Sequence, residues 1–297
     1  MDSFTRGTIS LLMSNVLLSS YPILIKSYVS DLSIVVQVLI RVIVYICLAF
    51  PFLLISGEGI HILTSLIDPK YLAVSAINLL HIYSSFKGFE YLNSGMALTT
   101  FYAYPIFQVI LSSIFLGTEL SNTVIYHLCG CLLGVGILNR NSFSGNSKNI
   151  GKGFAFIALA ALTESLINIF YKAFPSKSAF MSLYTLYAPA FLVLIIGVLL
   201  FHKKFTDKIH DIKEKKEYTW DRGIILKVIL FNLLIGGVGY LLRLFSLTQI
   251  SMNWFSALSF TTSISAFLLG WLFFKEPITI YHLIGASLIF YHIQWIQ

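Results

Sequence analysis

The sequence predicts an all-α membrane protein: ten transmembrane helices arranged as two five-helix inverted repeats. Three observations carry that expectation. Of the 297 residues, 57% are hydrophobic and only 11% charged. Apolar segments of crossing length recur along the chain, and the pentapeptide YHLCG at 126–130 returns as YHLIG at 281–285. A soluble domain needs about 25% charged residues to cover its surface, so composition alone excludes one.

The remaining composition fits the same class. With 25 Phe, 16 Tyr and 4 Trp, the chain is rich in side chains suited to lipid contact and interfacial belts. Cys47, Cys129 and Cys131 all fall in apolar runs, and residues two apart on a helix point in different directions, so neither a disulfide framework nor a metal site is expected. The net charge of +7 is concentrated in loops between spans, which reads as topology and not as a nucleic-acid surface. Arg6 is followed by an apolar stretch long enough to span, with no small-residue cleavage site, so that stretch is expected to be retained.

A helix crosses the hydrocarbon with about 20 apolar residues. The first such segment, 7–27, follows Arg6, and the second, 33–55, carries the basic residue of VLIRVIVY. The third, 71–90, places Asn78, His81 and Ser85 on one face, and the fourth, 95–116, contains Pro105. The fifth, 122–138, opens with the first pentapeptide, after which the Asn/Ser/Gly-rich stretch 141–152 reads as a linker. Segments 153–173, 180–201, 224–246, 253–274 and 279–296 supply the second set. The domains are therefore 1–140 and 153–297, with 56–70 and the charged 202–223 as the other long connections.

The pentapeptide opens the last span of each set. Glu119 and Glu276 precede it at the same station, and Tyr83 and Tyr240 lie 157 residues apart, as those glutamates do. Five is an odd number of crossings, so the second copy enters the membrane upside down. Inverted repeats let one pattern build two opposed half-structures, and alternating access is their natural use.

These residues resemble the EamA-like branch of the drug/metabolite transporter superfamily: LGTEL and FKEPI close the fourth and ninth spans, HLCG and HLIG open the fifth and tenth, and VLIRVIVY lies in the second. The resemblance implies a ten-helix carrier whose central cavity is lined mainly by the third, fourth, eighth and ninth spans. It places a basic residue at Arg41, which is read as packing at a helix junction, against substrate contact, and a structural proline at Pro105. Glu119 and Glu276 stand at helix starts signalled by Ser121 and Pro277, where a first-turn carboxylate suits the helix dipole, and Gly130 and Gly285 permit tight helix packing, so these four are also expected to be structural. Pro105 follows the family pattern, whereas Thr262 stands at the matching site of the ninth span, so the second half is expected to bend less there.

Ionisable groups inside spans need a cavity or a partner. Glu164, Asn168 and Lys172 follow i, i+4, i+8 spacing and share one face of the sixth span. Glu164 could hold an amino group or a coupling proton; the alternative is an internal ion pair with Lys172. Asn232, Gly236, Tyr240 and Arg243 form a similar stripe in the eighth span, where Arg243 could bind a carboxylate or phosphate bidentately. His81 is a second candidate for proton coupling, against a packing role, and Tyr102 and Trp254 are candidates for stacking on a ligand, against interfacial anchoring. Substrate contact is thus expected from Asn78, His81, Tyr102, Glu164, Asn168, Tyr240, Arg243 and Trp254.

No HExxH, GxGD or complete GxSxG occurs, which argues against a membrane enzyme, and the absence of a P-loop leaves gradients or exchange as the energy source. The expected function is a secondary carrier of a small metabolite, an amino acid or related amphipathic compound, in a plasma or inner membrane, without cofactor, metal or nucleic acid. Its partners are the substrate, the bilayer, and a coupling proton or an exchanged metabolite; a non-transporting scaffold or sensor is the alternative. Counting Lys and Arg by loop places the basic side opposite the termini, which puts the termini outside the cytoplasm; the resemblance implies the reverse.

Overall fold

The computed structural model describes residues 2–20, 34–92, 94–140, 149–200, 222–275 and 277–296, and every regular element among them is a helix. α1 (Ser3–Ser19) starts at Asp2, whose carboxylate accepts the Thr5 N–H at 2.7 Å. α2 (Ile34–Ile55) continues through Pro51. α3 (Gly59–Ile67) occupies the connection 56–70, which the sequence predicts as a loop. Its run GIHILTSLI is apolar enough to coil but too short to cross, and it leaves Leu63 and Ile67 72% and 76% exposed.

α4 (Pro69–Tyr91) is capped by Asp68 with Pro69 in its first turn. α5 (Ser94–Phe101) and α6 (Tyr104–Leu116) form one interrupted segment, followed by α7 (Asn122–Leu138) behind an N-terminal Ser121 cap. α8 (Ile150–Ala173) and α9 (Ala179–Leu200) follow, the latter running through Pro189. α10 (Arg222–Phe231) leads through a π turn at Asn232–Gly237 into α11 (Val238–Gln249). α12 (Met252–Ser259) and α13 (Thr261–Phe274) form a second interrupted segment, and α14 (Ile280–Ile293) closes the described chain.

Among the described residues, six segments are long and apolar enough to cross a membrane: Val36–Ile55, Met96–Leu116, Ile150–Ala173, Ala179–Ile196, Arg222–Gln249 and Met252–Phe273. α7 and α14 are shorter apolar helices. The chain is therefore an integral, multi-pass membrane protein.

The two halves pack as near-copies. α1 lies on α11 as α8 lies on α4, while α2 packs on α9 and α7 on α14. Gly7 of α1 abuts Gln249 and Ile250, and Gly153 of α8 abuts Tyr91 and Leu92. Gln249 and Leu92 are separated by the 157 residues that also separate Glu276 from Glu119. Direction is reversed between equivalents: α1 begins at the end of the bundle where α8 finishes, since Gly7 and Lys172 both reach the last turn of α11. That reversal is the inverted relation expected of five-helix copies.

The two halves interrupt their fourth and ninth segments in the same backbone form. Ala103 interrupts α5–α6 with φ −71° and ψ −15°, and Phe260 interrupts α12–α13 with φ −65° and ψ −21°. The backbone bonds repeat as well. Ala103 N–H donates to Thr100 O and Ile106 N–H to Ala103 O, while Phe260 N–H donates to Ala257 O and Ser263 N–H to Phe260 O, all at 3.1–3.2 Å. Pro105 enforces the first break. In the second, Thr261 and Thr262 donate their hydroxyls to Leu258 O and Ser259 O at 2.7 and 2.8 Å, offering those carbonyls an alternative to the regular ladder.

The repeated glycines bring α7 and α14 together. A Cβ on Gly285 would sit 2.6 Å from Gly134 O and 2.7 Å from Leu138 N, and one on Gly134 would sit 2.8 Å from Gly285 O; the site of a Cβ on Gly130 is filled by the His292 ring. This is small-residue packing with backbone against backbone. Ser121 caps α7 as expected, but Glu119 is exposed in the connection before it and not in the first turn, because α7 starts three residues later. α14 is capped by Thr279, paired with His282, and not by Pro277. Glu276 and most of the linker, 141–148, lie outside the described residues. Gly285→Ala should destabilise the detergent-solubilised protein by about 1–3 kcal/mol through overpacking. Gly136→Ala, whose Cβ meets only Thr99 at 3.8 Å, should leave the thermal midpoint unchanged.

Candidate functional site

α4, the two interrupted segments and α11 line a cavity of about 130 Å3, joined by α1, α2 and α8, with Glu164, Arg243, His81 and Arg41 in its wall. It extends from these groups toward the end of α4 and the start of α5, past Phe86, Phe89 and Leu98. Toward the opposite end, polar contacts tie the helices together. Lys172 donates to the carbonyls of Leu247 and Ile250 at 2.9 and 2.8 Å, and Asn15 donates to Leu258 O and Thr261 Oγ1 at 2.9 Å.

Glu164 is 4% exposed, Arg243 5% and His81 5%. Such charges in a bilayer-spanning bundle require partners, and the structure supplies them. Arg243 Nη2 stands 2.9 Å from Glu164 Oε1 and donates to the Tyr104 hydroxyl at 3.1 Å. Its guanidinium lies 5.4 Å from the Tyr104 ring centre and 5.0 Å from that of Phe255. Glu164 Oε2 faces His81 Nε2 across 3.4 Å, while His81 Nδ1 lies 3.0 Å from Ala160 O. Glu164 Oε2 and Arg243 Nε are buried and make no hydrogen bond among the described residues. Local sequence explains the placement: Ala160 and Ala161, one turn before Glu164, let α8 approach α4 and α6 closely, and Ser165 ties it to Tyr104 O at 2.9 Å.

Of the expected site residues, His81, Tyr102, Glu164, Tyr240 and Arg243 line the cavity. Arg41, read as a packing residue against substrate contact, joins them, its guanidinium 5.1–6.0 Å from the ring centres of Tyr45, Tyr187 and Tyr240. Asn78, Asn168 and Trp254 are placed elsewhere. Asn78 donates to Leu186 O at 3.3 Å, and Asn168 donates to Gln108 at 2.8 Å. Trp254 stacks on Phe4 at 6.0 Å and donates to Thr8 at 3.0 Å, anchoring α12 to α1. The Glu164–Lys172 pair, the alternative reading of that stripe, does not form, because Lys172 caps α11. A π turn at Asn232–Gly237 interrupts the regular spacing from Asn232 to Arg243, and Asn232 donates to Val228 O at 2.9 Å. Tyr83, matched in sequence to Tyr240, is half-exposed against Phe156 on the outer surface.

Sequence reasoning missed Gln108, which bridges Asn168 to Ser256 at 2.9 Å and so ties the halves together. The signal for Gln108 was an amide inside the apolar run 104–116, three residues after Pro105. Phe86 and Leu18 also escaped notice, yet both line the cavity. Phe86 lies 157 residues before Arg243, and Leu18 lies 146 before Glu164, the spacing that relates Gly7 to Gly153. One repeat thus contributes the charged pair, and the other contributes apolar side chains at the equivalent stations.

An inverted pair of helical repeats spanning a membrane around a buried, charged cavity defines a membrane transporter. Comparison with known proteins names the family. The EamA-like transporter family matches residues 5–140 and again 151–294, so this chain belongs to it, within the drug/metabolite superfamily of transporters and not among enzymes. A solved structure described only as the crystal structure of a protein shares the fold, with TM-score 0.76 and 16% identity over 98% of this chain and 97% of that one. No curated protein matches.

Removing one member of a buried pair strands the other charge, at a cost of about 3–5 kcal/mol. Glu164→Leu and Arg243→Met should each lower stability by that order, and the double variant should recover most of it, as read by denaturant titration in detergent.

Proposed function

We propose that the protein is a ten-crossing secondary carrier, built from domains 1–140 and 153–297 joined by the linker 141–152, that moves an amino acid or related amphipathic metabolite by alternating access. Under this reading α1 and α4 also cross the membrane, and the protein works at a plasma or inner membrane. The Glu164–Arg243 pair carries the proposal, because both members keep unused hydrogen-bonding capacity toward the cavity: Oε2 on the acid and Nε on the base. A zwitterion's carboxylate would take the guanidinium and its ammonium the carboxylate. The side chain would then rest on the apolar stations Leu18 and Phe86, with Tyr102 and Tyr240 beside it.

The same arrangement supports alternating access. One end is tied together by Lys172 and Asn15, the cavity leads to the other, and the inverted copies allow the opposite arrangement at little energetic difference. Asn78, Asn168 and Trp254 then act by holding the helices that carry the site.

A ligand that binds only the folded state raises apparent stability, by about 2.7 kcal/mol at a hundredfold excess over its dissociation constant. A thermal-shift panel of amino acids, nucleosides, nucleotide sugars, polyamines and aromatic drugs should give its shifts with amino acids. Uptake into proteoliposomes should fall at least tenfold in Glu164→Gln and Arg243→Gln that remain monodisperse on gel filtration. Unchanged uptake in both variants would reject the site.

A further inference from the structure

A second cavity, of about 270 Å3, lies apart from the central one and shares no lining residue with it. Three pieces of chain form it: α3 with Glu58 just ahead of it, the start of α4 at Asp68 and Tyr71, and the connection between α8 and α9, which contributes Ser176 and Lys177. The crossing segments Val36–Ile55 and Ile150–Ala173 end two or three residues before these lining groups, so the cavity stands where hydrocarbon meets the lipid head groups. α3 agrees with that level. Ile62 and Ser65 are buried, while Leu63 and Ile67, one turn apart, are exposed. A helix too short to cross, with an apolar outer face, lies in the interface.

The cavity offers opposite charges that do not neutralise each other. Glu58 Oε1 accepts the Ser56 hydroxyl at 3.2 Å, but Oε2 is buried and makes no hydrogen bond among the described residues, and Ser176 Oγ is in the same condition. Lys177 Nζ stands 2.9 Å from His61 Nε2, and among the described residues no ion pair joins it to Glu58 or Asp68. Asp68 is already engaged, accepting the Lys70 N–H at 2.9 Å as the cap of α4. The free positions are therefore a carboxylate oxygen that wants a donor, and a hydroxyl and an ammonium that want an acceptor. Terminal carboxylate torsions are soft, so Glu58 can turn Oε2 to a donor without moving the backbone.

We propose that this cavity binds the phosphoethanolamine head group of a membrane lipid, with the phosphate on Lys177 Nζ and Ser176 Oγ, the ammonium on Glu58 Oε2, and the acyl chains against Leu63 and Ile67. The site stands independently of the carrier reading. A phosphocholine head has no N–H and would leave Glu58 Oε2 without a donor; a phosphoglycerol head would bring negative charge alone to two carboxylates. The Lys177 ammonium opposes a metal ion, and no cluster of three ligating side chains occurs among the described residues. Because Glu58 comes from the first repeat and Ser176 and Lys177 from the second, a bound head group braces one half against the other at this end.

The test is native mass spectrometry of the delipidated full chain in detergent, titrated with phosphatidylethanolamine, phosphatidylcholine and phosphatidylglycerol of identical acyl chains. Phosphatidylethanolamine should bind at least about tenfold more tightly than the other two. Glu58→Gln should abolish its advantage over phosphatidylcholine, whereas Lys177→Ala and Ser176→Ala, on an exposed connection, should weaken both lipids alike. Equal affinity for the three lipids in the unsubstituted protein, or a preference that survives in Glu58→Gln and Lys177→Ala, overturns the site. Free phosphoethanolamine separates the two sources of this chemistry: it should fail to displace the lipid at equal concentration, and displacement there would assign the cavity to a soluble metabolite and overturn the lipid.

Discussion

The rest of the structure depends on the 2.9 Å contact between Glu164 and Arg243. Two charges withdrawn from water into a helix bundle are costly singly and acceptable together, and only if their geometry is held. Much of the surrounding architecture does that holding. Tyr104 and Phe255 flank the guanidinium, Ser165 fastens α8 beside Tyr104, and Gln108 with Asn168 ties α6 to α8 and α12. The helices could pack without the pair, but the pair could not exist without this packing.

The second constraint is duplication. The two halves reproduce each other's glycine contacts and broken helices while using different chemistry to do so. Pro105 breaks α5–α6 by lacking a donor; Thr261 and Thr262 break α12–α13 by supplying competing ones. Selection has thus kept the backbone shape and let the residues that produce it change. A comparison of letters alone reads that as divergence.

The sequence made the architecture legible because hydropathy and the pentapeptide are long-range regularities. α7 starts and ends where the spacing predicts, and α2, α8 and α9 agree with their expected segments to within a few residues. The site was legible in part. Buried ionisable groups announce themselves by cost, which is how Glu164, Arg243 and His81 were found. Which of them meet was not legible, since that depends on helix rotation. The π turn at Asn232–Gly237 illustrates the limit: one irregular turn changes the rotation that regular spacing assumes. Trp254 failed differently. An aromatic beside an interrupted helix has several possible neighbours, and its contact with Thr8 arises from chain segments 246 residues apart.

Leu18 and Phe86 stand where the other repeat carries Glu164 and Arg243. This division separates two kinds of evolutionary change. A lineage could widen, narrow or reshape the oily wall by ordinary hydrophobic exchanges in the first repeat, leaving the electrostatically demanding wall untouched. At these two stations duplication has left one copy holding the charged pair and the other free to vary, while His81, Arg41 and Tyr104 commit other stations of the first repeat to polar contacts.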